Sequence, residues 1–292
     1  MRIYNTAKGI ILQTDTENYI FQDDWDRLIN AEALYVELDD KMKHADRLSE
    51  QQMVTICDQF LLPPIGNQEV WAAGVTYLRS RDARMEEAKA AGGGDFYDKV
   101  YEAERPELFF KALPHRVAGH NGAVYIREDS TWNVPEPELT LFINSAGKIA
   151  GYTVGNDMSS RSIEGENPLY LPQAKVYEKS AALGPCLYIP SGPISPDTTI
   201  TMSIHRDSQV CYKDSIKINR MKRSLEELAD YLCRACYFPQ GSFLMTGTCL
   251  VPDNDFTLRE GDRVEISIEH IGTLINKVKV WKPGHNGSRI DN

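Results

Sequence analysis

From residue 106 to about residue 280 the chain runs as short β-favouring stretches broken by Gly, Pro, Asn and Asp, and this punctuation limits the fold more than any other feature. Residues 138–143, 148–154, 186–189, 199–205, 209–216, 263–268 and 273–282 are each of strand length and composition. One helical stretch interrupts them, residues 224–237. There Ser224 and Glu227 have capping-box spacing, and Leu225, Leu228, Leu232 and Cys236 fall on one stripe. Many short strands with few helices predict an α+β chain, mostly β and mostly antiparallel, with helices at the periphery. The chain has no glycine-rich nucleotide loop after a strand and no GxSxG elbow.

The first 65 residues read differently. Short strands at 9–12 and 19–21 precede helices that start near Asp24 and cover residues 31–43. The connector LLPPIGNQ, residues 61–68, is the best internal boundary. It divides a small N-terminal α/β unit, 1–65, from a larger unit, 66–292. In the larger unit two charged helical stretches, 79–91 and 95–104, flank Gly92, Gly93 and Gly94. Such a hinge fits either an exposed helical excursion or a lid, about 79–104, over a site.

With 32 Lys+Arg against 42 Asp+Glu, the chain has a formal charge of −10. That balance argues against unaided binding to nucleic acid or an anionic membrane, since both need a positive surface. No apolar run approaches the ~18–20 residues of a bilayer span, and the N-terminus lacks the basic start and apolar stretch of a signal peptide. Six scattered cysteines read as reduced thiols, and Cys233–Cys236 stands alone as a CxxC. A soluble cytoplasmic protein with no nucleic-acid or membrane partner is expected.

The most informative stretch is VPEPELTLFINSAGKIAGYTVGNDMSSR. In a strand, Glu136 and Glu138 face the same side. The chain then turns through residues 144–147 and returns toward Asp157. If the hairpin loop has two or four residues, partner numbers sum to 291, placing Glu138 opposite Thr153 and Glu136 opposite Gly155. Asp157 then lies diagonal to Glu136 on the same face. An odd loop would put it on the other side. Three carboxylates without His or Cys nearby suit Mg²⁺, Mn²⁺ or Ca²⁺ rather than zinc. The same spacing also fits a solvated hairpin carrying ordinary surface acids.

PEPEL, the GYTVGND to SAALGP segment, TGTCLVP and LREGDRVEISIEHIGTLINKV together resemble the fumarylacetoacetate hydrolase family, over residues 61–280. The resemblance implies a mixed β-sandwich or roll catalytic domain, a smaller N-terminal domain, and a homodimer or dimer-based tetramer. It also implies Mg²⁺, or Mn²⁺ or Ca²⁺ in its place, on Glu136, Glu138 and Asp157. The family lysine maps to Lys175 and the Thr of its TGT motif to Thr248. Such a site takes a small 2-keto acid and stabilises the enolate formed from it.

Two branches of the family compete. Its hydrolases carry a water-activating His in a stretch that corresponds here to residues 76–87, which contain none. His115 and His120 lie elsewhere and read as structural or exposed. C–C hydrolysis of an acylpyruvate-like diketone is therefore the alternative. VTYLRSRDAR, RPELFFKA, PEPEL and NPLYLPQAK resemble the sugar-acid dehydratase branch. This implies removal of water from a 2-keto-3-deoxy sugar acid such as 2-keto-3-deoxyarabinonate, giving 2,5-dioxopentanoate. The resemblance places Lys175 and Glu107 as acid/base groups. A lysine beside a cation is disfavoured as an ammonium, and a Glu beneath a lid and the apolar Leu108, Phe109 and Phe110 holds its proton more readily. Arg79, Ser80, Arg161 and Thr248 are substrate-binding candidates, although each arginine could equally pair with a surplus acid.

Overall fold

The computed structural model of the chain describes residues 1–78 and 99–282, so Arg79, Ser80 and most of the expected lid lie outside the described residues. Among the described residues, one sheet runs in the order Asp46–Leu48, Asn18–Phe21, Gly9–Gln13, Arg2–Thr6, Ala181–Tyr188, Ile149–Asp157, Pro137–Ile143, Ser242–Met245, Glu69–Gly74 and Glu107–Ala112. Val117–Ala118 adds beside Ala181–Tyr188. A second sheet runs Gln209–Lys217, Thr199–Arg206, Arg263–Ile268, Gly272–Trp281 and Ala123–Arg127. Most neighbours are antiparallel. Parallel pairs join Ser242–Met245 to Glu69–Gly74, Gly272–Trp281 to Ala123–Arg127 and Val117–Ala118 to Ala181–Tyr188. The mostly β architecture follows the expectation.

Alternation decides which face of the large sheet meets which core. Leu139, Leu141 and Ile143, with Tyr152 and Val154 of the return strand, pack toward the second sheet on Met202, Ile204, Val264 and Ile266. Phe142 and its neighbours Ala72, Leu183 and Phe243 face the other way, onto a core shared with Ile3, Leu12, Leu28 and Leu38. The Pro137–Ile143 strand is thus buried on both faces along its length. The N-terminal strands belong to this same sheet, with Ile3 paired to Leu187. The helices Trp25–Ile29 and Leu34–Met42 contribute to the same core.

The expected helix at 224–237 is shorter, Leu225–Cys233. Ser224 Oγ accepts from the Glu227 N–H as expected, while the Glu227 carboxylate pairs with Arg223 at 2.7 Å. Leu228 and Leu232 are buried, but Cys236 lies past the helix end and is exposed. Pro239 follows and Tyr237 is exposed, so no apolar contact extends the helix.

The carboxylate hairpin keeps the expected parity in a shifted register. Ile143 pairs with Ile149 across an odd turn, held where the Asn144 N–H meets the Lys148 carbonyl. That turn alone would have put Asp157 on the wrong face. A bulge between Phe142 and Ile143 then adds one residue, Ala150, to the return strand and restores parity. From there partner numbers sum to 293 rather than 291. Glu138 is opposite Gly155, not Thr153, and the Asp157 N–H donates to the Glu136 carbonyl at 2.9 Å.

Candidate metal and acid/base site

Several neighbouring strands of the large sheet begin or end at one edge of this face. Glu138 lies one residue into its strand and Asp157 ends the return strand, while Gly74 ends and Glu107 starts the pair on the far side of Ser242–Met245. Glu136, Glu138 and Asp157 are buried, with one oxygen of each within 4.8 Å of the others. The hairpin is therefore not a solvated one. Lys175 closes the short helix Leu171–Lys175 and is fully buried. Its Nζ lies 2.6 Å from Glu136 Oε2, 2.9 Å from Asp157 Oδ2 and 2.5 Å from Ser159 Oγ. Arg161, buried at the start of Arg161–Glu166, donates to Glu136 Oε1 at 2.5 Å and approaches Glu164 at 3.7 Å. Of the two readings for Arg161, these contacts are those of an ion-pair partner. Among the described residues no ion pair reaches Glu138; the Gly247 N–H donates to its Oε2 at 2.6 Å.

Gly247 needs its glycine. Its φ is +95°, and a Cβ would fall 2.0 Å from Thr76 Oγ1. The turn it makes presents its N–H to Glu138 and leads into Thr248, which is buried and accepts from the Leu250 N–H at 3.3 Å.

Strand alternation puts Glu107, Phe109 and Lys111 on one face. Glu107 is half-buried opposite Gly74, where a Cβ would lie 2.0 Å from Glu107 Oε2. The Phe109 ring lies 5.6 Å from Lys175 Nζ. Lys111, which the sequence reading passes over, is fully buried with Nζ 2.6 Å from Asp157 Oδ1. The signal that could have found it is its i+4 spacing from Glu107 in ELFFKA. His115 is exposed and His120 half-buried, and neither belongs to the carboxylate group.

Gly74→Ala tests the placement of Glu107. The methyl must displace the carboxylate, a flexible side-chain end, so the protein should fold and bind Mg²⁺ as before. Turnover should fall about 10- to 100-fold, the usual effect of misplacing a reacting group by an ångström. An unchanged rate would separate Glu107 from the chemistry.

Burial with two carboxylates beside it pushes the Glu138 carboxyl well above its ordinary range. The folded metal-free protein therefore keeps a proton there that the unfolded chain loses near the ordinary 4.5. Since the folded state holds more protons in that window, the metal-free protein loses stability as pH rises through it. A cation competes with the same proton, so Mg²⁺ affinity should rise with pH. Calorimetric titrations at two pH values check this; a flat dependence would contradict it.

The donor set fits a hard divalent cation: three acid oxygens converge out of water, and among the described residues Glu138 has no ion pair. Residues 70–279 match the fumarylacetoacetate (FAA) hydrolase C-terminal family. The chain belongs to that family. Over 222 residues, 76 % of this chain and 75 % of the relative, it is 49 % identical to a Haloferax volcanii protein named "Probable 2-keto-3-deoxyxylonate dehydratase". It is 44 % identical over 246 residues to the 2-dehydro-3-deoxy-D-arabinonate dehydratase of Saccharolobus solfataricus, covering 83 % of this chain and 82 % of that protein. The solved structure of 2-keto-3-deoxy-D-arabinonate dehydratase complexed with magnesium and 2,5-dioxopentanoate superposes with a TM-score of 0.82 at 34 % identity. It covers 97 % of this chain and 100 % of that one. This member of the family is thus similar to dehydratases along most of its length. Among its described residues, no helix is long and apolar enough to cross a membrane.

Proposed function

We propose that this protein is a Mg²⁺-dependent dehydratase of a 2-keto-3-deoxy pentonic acid, forming 2,5-dioxopentanoate. The observation that carries this reading is the buried Glu136, Glu138 and Asp157 group with Lys175 against it, in a chain 44 % and 49 % identical to two proteins named as such dehydratases. In the D series the xylonate and arabinonate names describe one compound, because C2 and C3 are no longer stereocentres in the keto-deoxy form.

Glu136, Glu138 and Asp157 hold the ion, Mg²⁺ or Mn²⁺ or Ca²⁺ in its place. When bound, the ion polarises the keto oxygen and offsets the negative charge that develops as a C3 proton leaves. Lys175 Nζ takes that proton. Glu107 gives a proton to the C4 hydroxyl, which leaves as water, and the unsaturated product tautomerises to the aldehyde. Phe109 and the buried strands keep bulk water from the acid/base pair. Thr248, with Arg79 and Ser80, holds the carboxylate and hydroxyls, while Arg161 stays paired with Glu136. A cytosolic homodimer or dimer-based tetramer, with residues 1–65 as the smaller unit, belongs to the same reading, supported by the family resemblance; sedimentation velocity tests the assembly.

Supplied with Mg²⁺, the protein should dehydrate 2-keto-3-deoxyarabinonate and leave acylpyruvates intact. Rapid acylpyruvate cleavage without dehydration would turn the assignment to a C–C hydrolase. A structural Ca²⁺ clamp would do neither.

A further inference from the structure

We infer that Lys111 is a positioning residue, which fixes both the Asp157 carboxylate and the Lys175 backbone in the geometry the reaction uses. The inference rests on the proposed dehydratase reading for its link to turnover, but not for its link to metal binding.

Two lysines share Asp157, and their surroundings assign them different work. Lys175 Nζ bonds to the side chains of Glu136, Asp157 and Ser159. Lys111 meets backbone. Its ammonium lies 2.6 Å from Asp157 Oδ1, 2.9 Å from the Met158 carbonyl and 2.6 Å from the Lys175 carbonyl. Its hydrogen bonds go to the two backbone carbonyls, and the Asp157 carboxylate beside it supplies the counter-charge. Lys111 is also fully buried, and it rises from the bulge between Phe110 and Ala112, which pair with Trp71 and Val70.

What it fixes follows from those three oxygens. Asp157 ends the return strand, its backbone bonded to Glu136 on one side and paired with Ala181 on the other. Lys111 meets Oδ1, and Lys175 meets Oδ2. The Met158 carbonyl fixes the next peptide. The Lys175 carbonyl lies at the last residue of a five-residue helix, an end with no intrahelical partner for its C=O. Ser180 Oγ bonds that carbonyl as well, at 2.9 Å. One ammonium thus ties the end of a strand to the end of a helix, which are 18 residues apart and each carry a group of the site. Second contacts of this kind orient metal ligands, and losing one typically costs 10- to 100-fold in affinity or activity.

The test compares Lys111→Met, Lys175→Ala and the double variant, well below their melting temperatures. The probe for binding is Mg²⁺ alone, by calorimetry. Lys111→Met should weaken Mg²⁺ binding 10- to 100-fold and lower kcat by a similar factor, with KM for the keto acid, at saturating Mg²⁺, within about threefold of the parent. Because Lys111 acts on turnover through Lys175, the double variant should be no slower than Lys175→Ala. A folded Lys111→Met with parent-like Mg²⁺ affinity and kcat overturns the inference. So does a double variant whose loss is the product of the two single losses. If Lys111→Met does not fold, Lys111→Arg decides, because a guanidinium cannot seat on the same three oxygens. Weaker Mg²⁺ binding is then expected, and parent-like binding overturns the proposal. If the parent binds Mg²⁺ yet dehydrates no sugar acid, the dehydratase reading fails while the Mg²⁺ titration still judges Lys111.

Discussion

Lys175→Ala should lower turnover about 10²- to 10⁴-fold while leaving Mg²⁺ binding intact. That range is what a positioned proton-transfer group contributes. The lysine lies between Glu136 Oε2 and Asp157 Oδ2 and is fully buried. Removing the ammonium also removes a positive charge from beside the metal ligands, so Mg²⁺ affinity should stay level or rise. The metal-free protein should lose stability, because two buried carboxylates lose a shared partner. Isothermal titration with Mg²⁺ and a steady-state assay on one preparation separate these effects. A rate within tenfold of the parent would take Lys175 out of the reaction, and a loss of metal binding would make it a purely structural link.

Glu136→Gln should have the opposite profile. The amide removes a negative charge from the three-carboxylate group and leaves Arg161 and Lys175 facing a neutral oxygen. Mg²⁺ affinity should fall by at least about 100-fold, beyond the 10- to 100-fold range of outer contacts. Turnover at fixed Mg²⁺ should fall with it and recover in part at high Mg²⁺. Unaltered affinity would remove Glu136 from the metal site. The stability cost should be several kcal/mol, as for breaking other buried pairs.

The parts of this arrangement differ in how far the residues alone could reveal them. Two-residue spacing put Glu136 and Glu138 on one face, while Leu139, Leu141 and Ile143 enter one core and Phe142 the other. The position of Asp157 depended on a turn and a bulge that no composition encodes: an odd turn and one extra residue, Ala150, cancelled. Parity survived and register did not. Glu107 and Lys175 were assigned through family motifs, not through spacing. Lys175 comes near Asp157 only when a five-residue helix folds back beside the strand end, and that closure is tertiary.

Lys111 was hidden for another reason. A lysine in a strand reads as an edge or surface group, and only its ion pair with Asp157 and its two bonds to backbone carbonyls show that burial is compensated. Arg161 shows the reverse. Its pattern suited a carboxylate ligand, and the carboxylates it meets here are the protein's own Glu136 and Glu164. The short helix at 225–233 shows how an amphipathic stripe can be read past its end, where Cys236 keeps the spacing but has no core to enter. Net charge, by contrast, spoke only of partners to exclude, and three of the acids behind the −10 are in the site.

The central claim is that these residues form a metal-dependent dehydratase. Following ¹³C-labelled 2-keto-3-deoxyarabinonate by NMR, with the purified protein and either Mg²⁺ or excess chelator, tests it most directly. The account predicts the aldehyde carbon of 2,5-dioxopentanoate appearing only with Mg²⁺. Substrate unchanged in both samples, or converted equally in both, would contradict it.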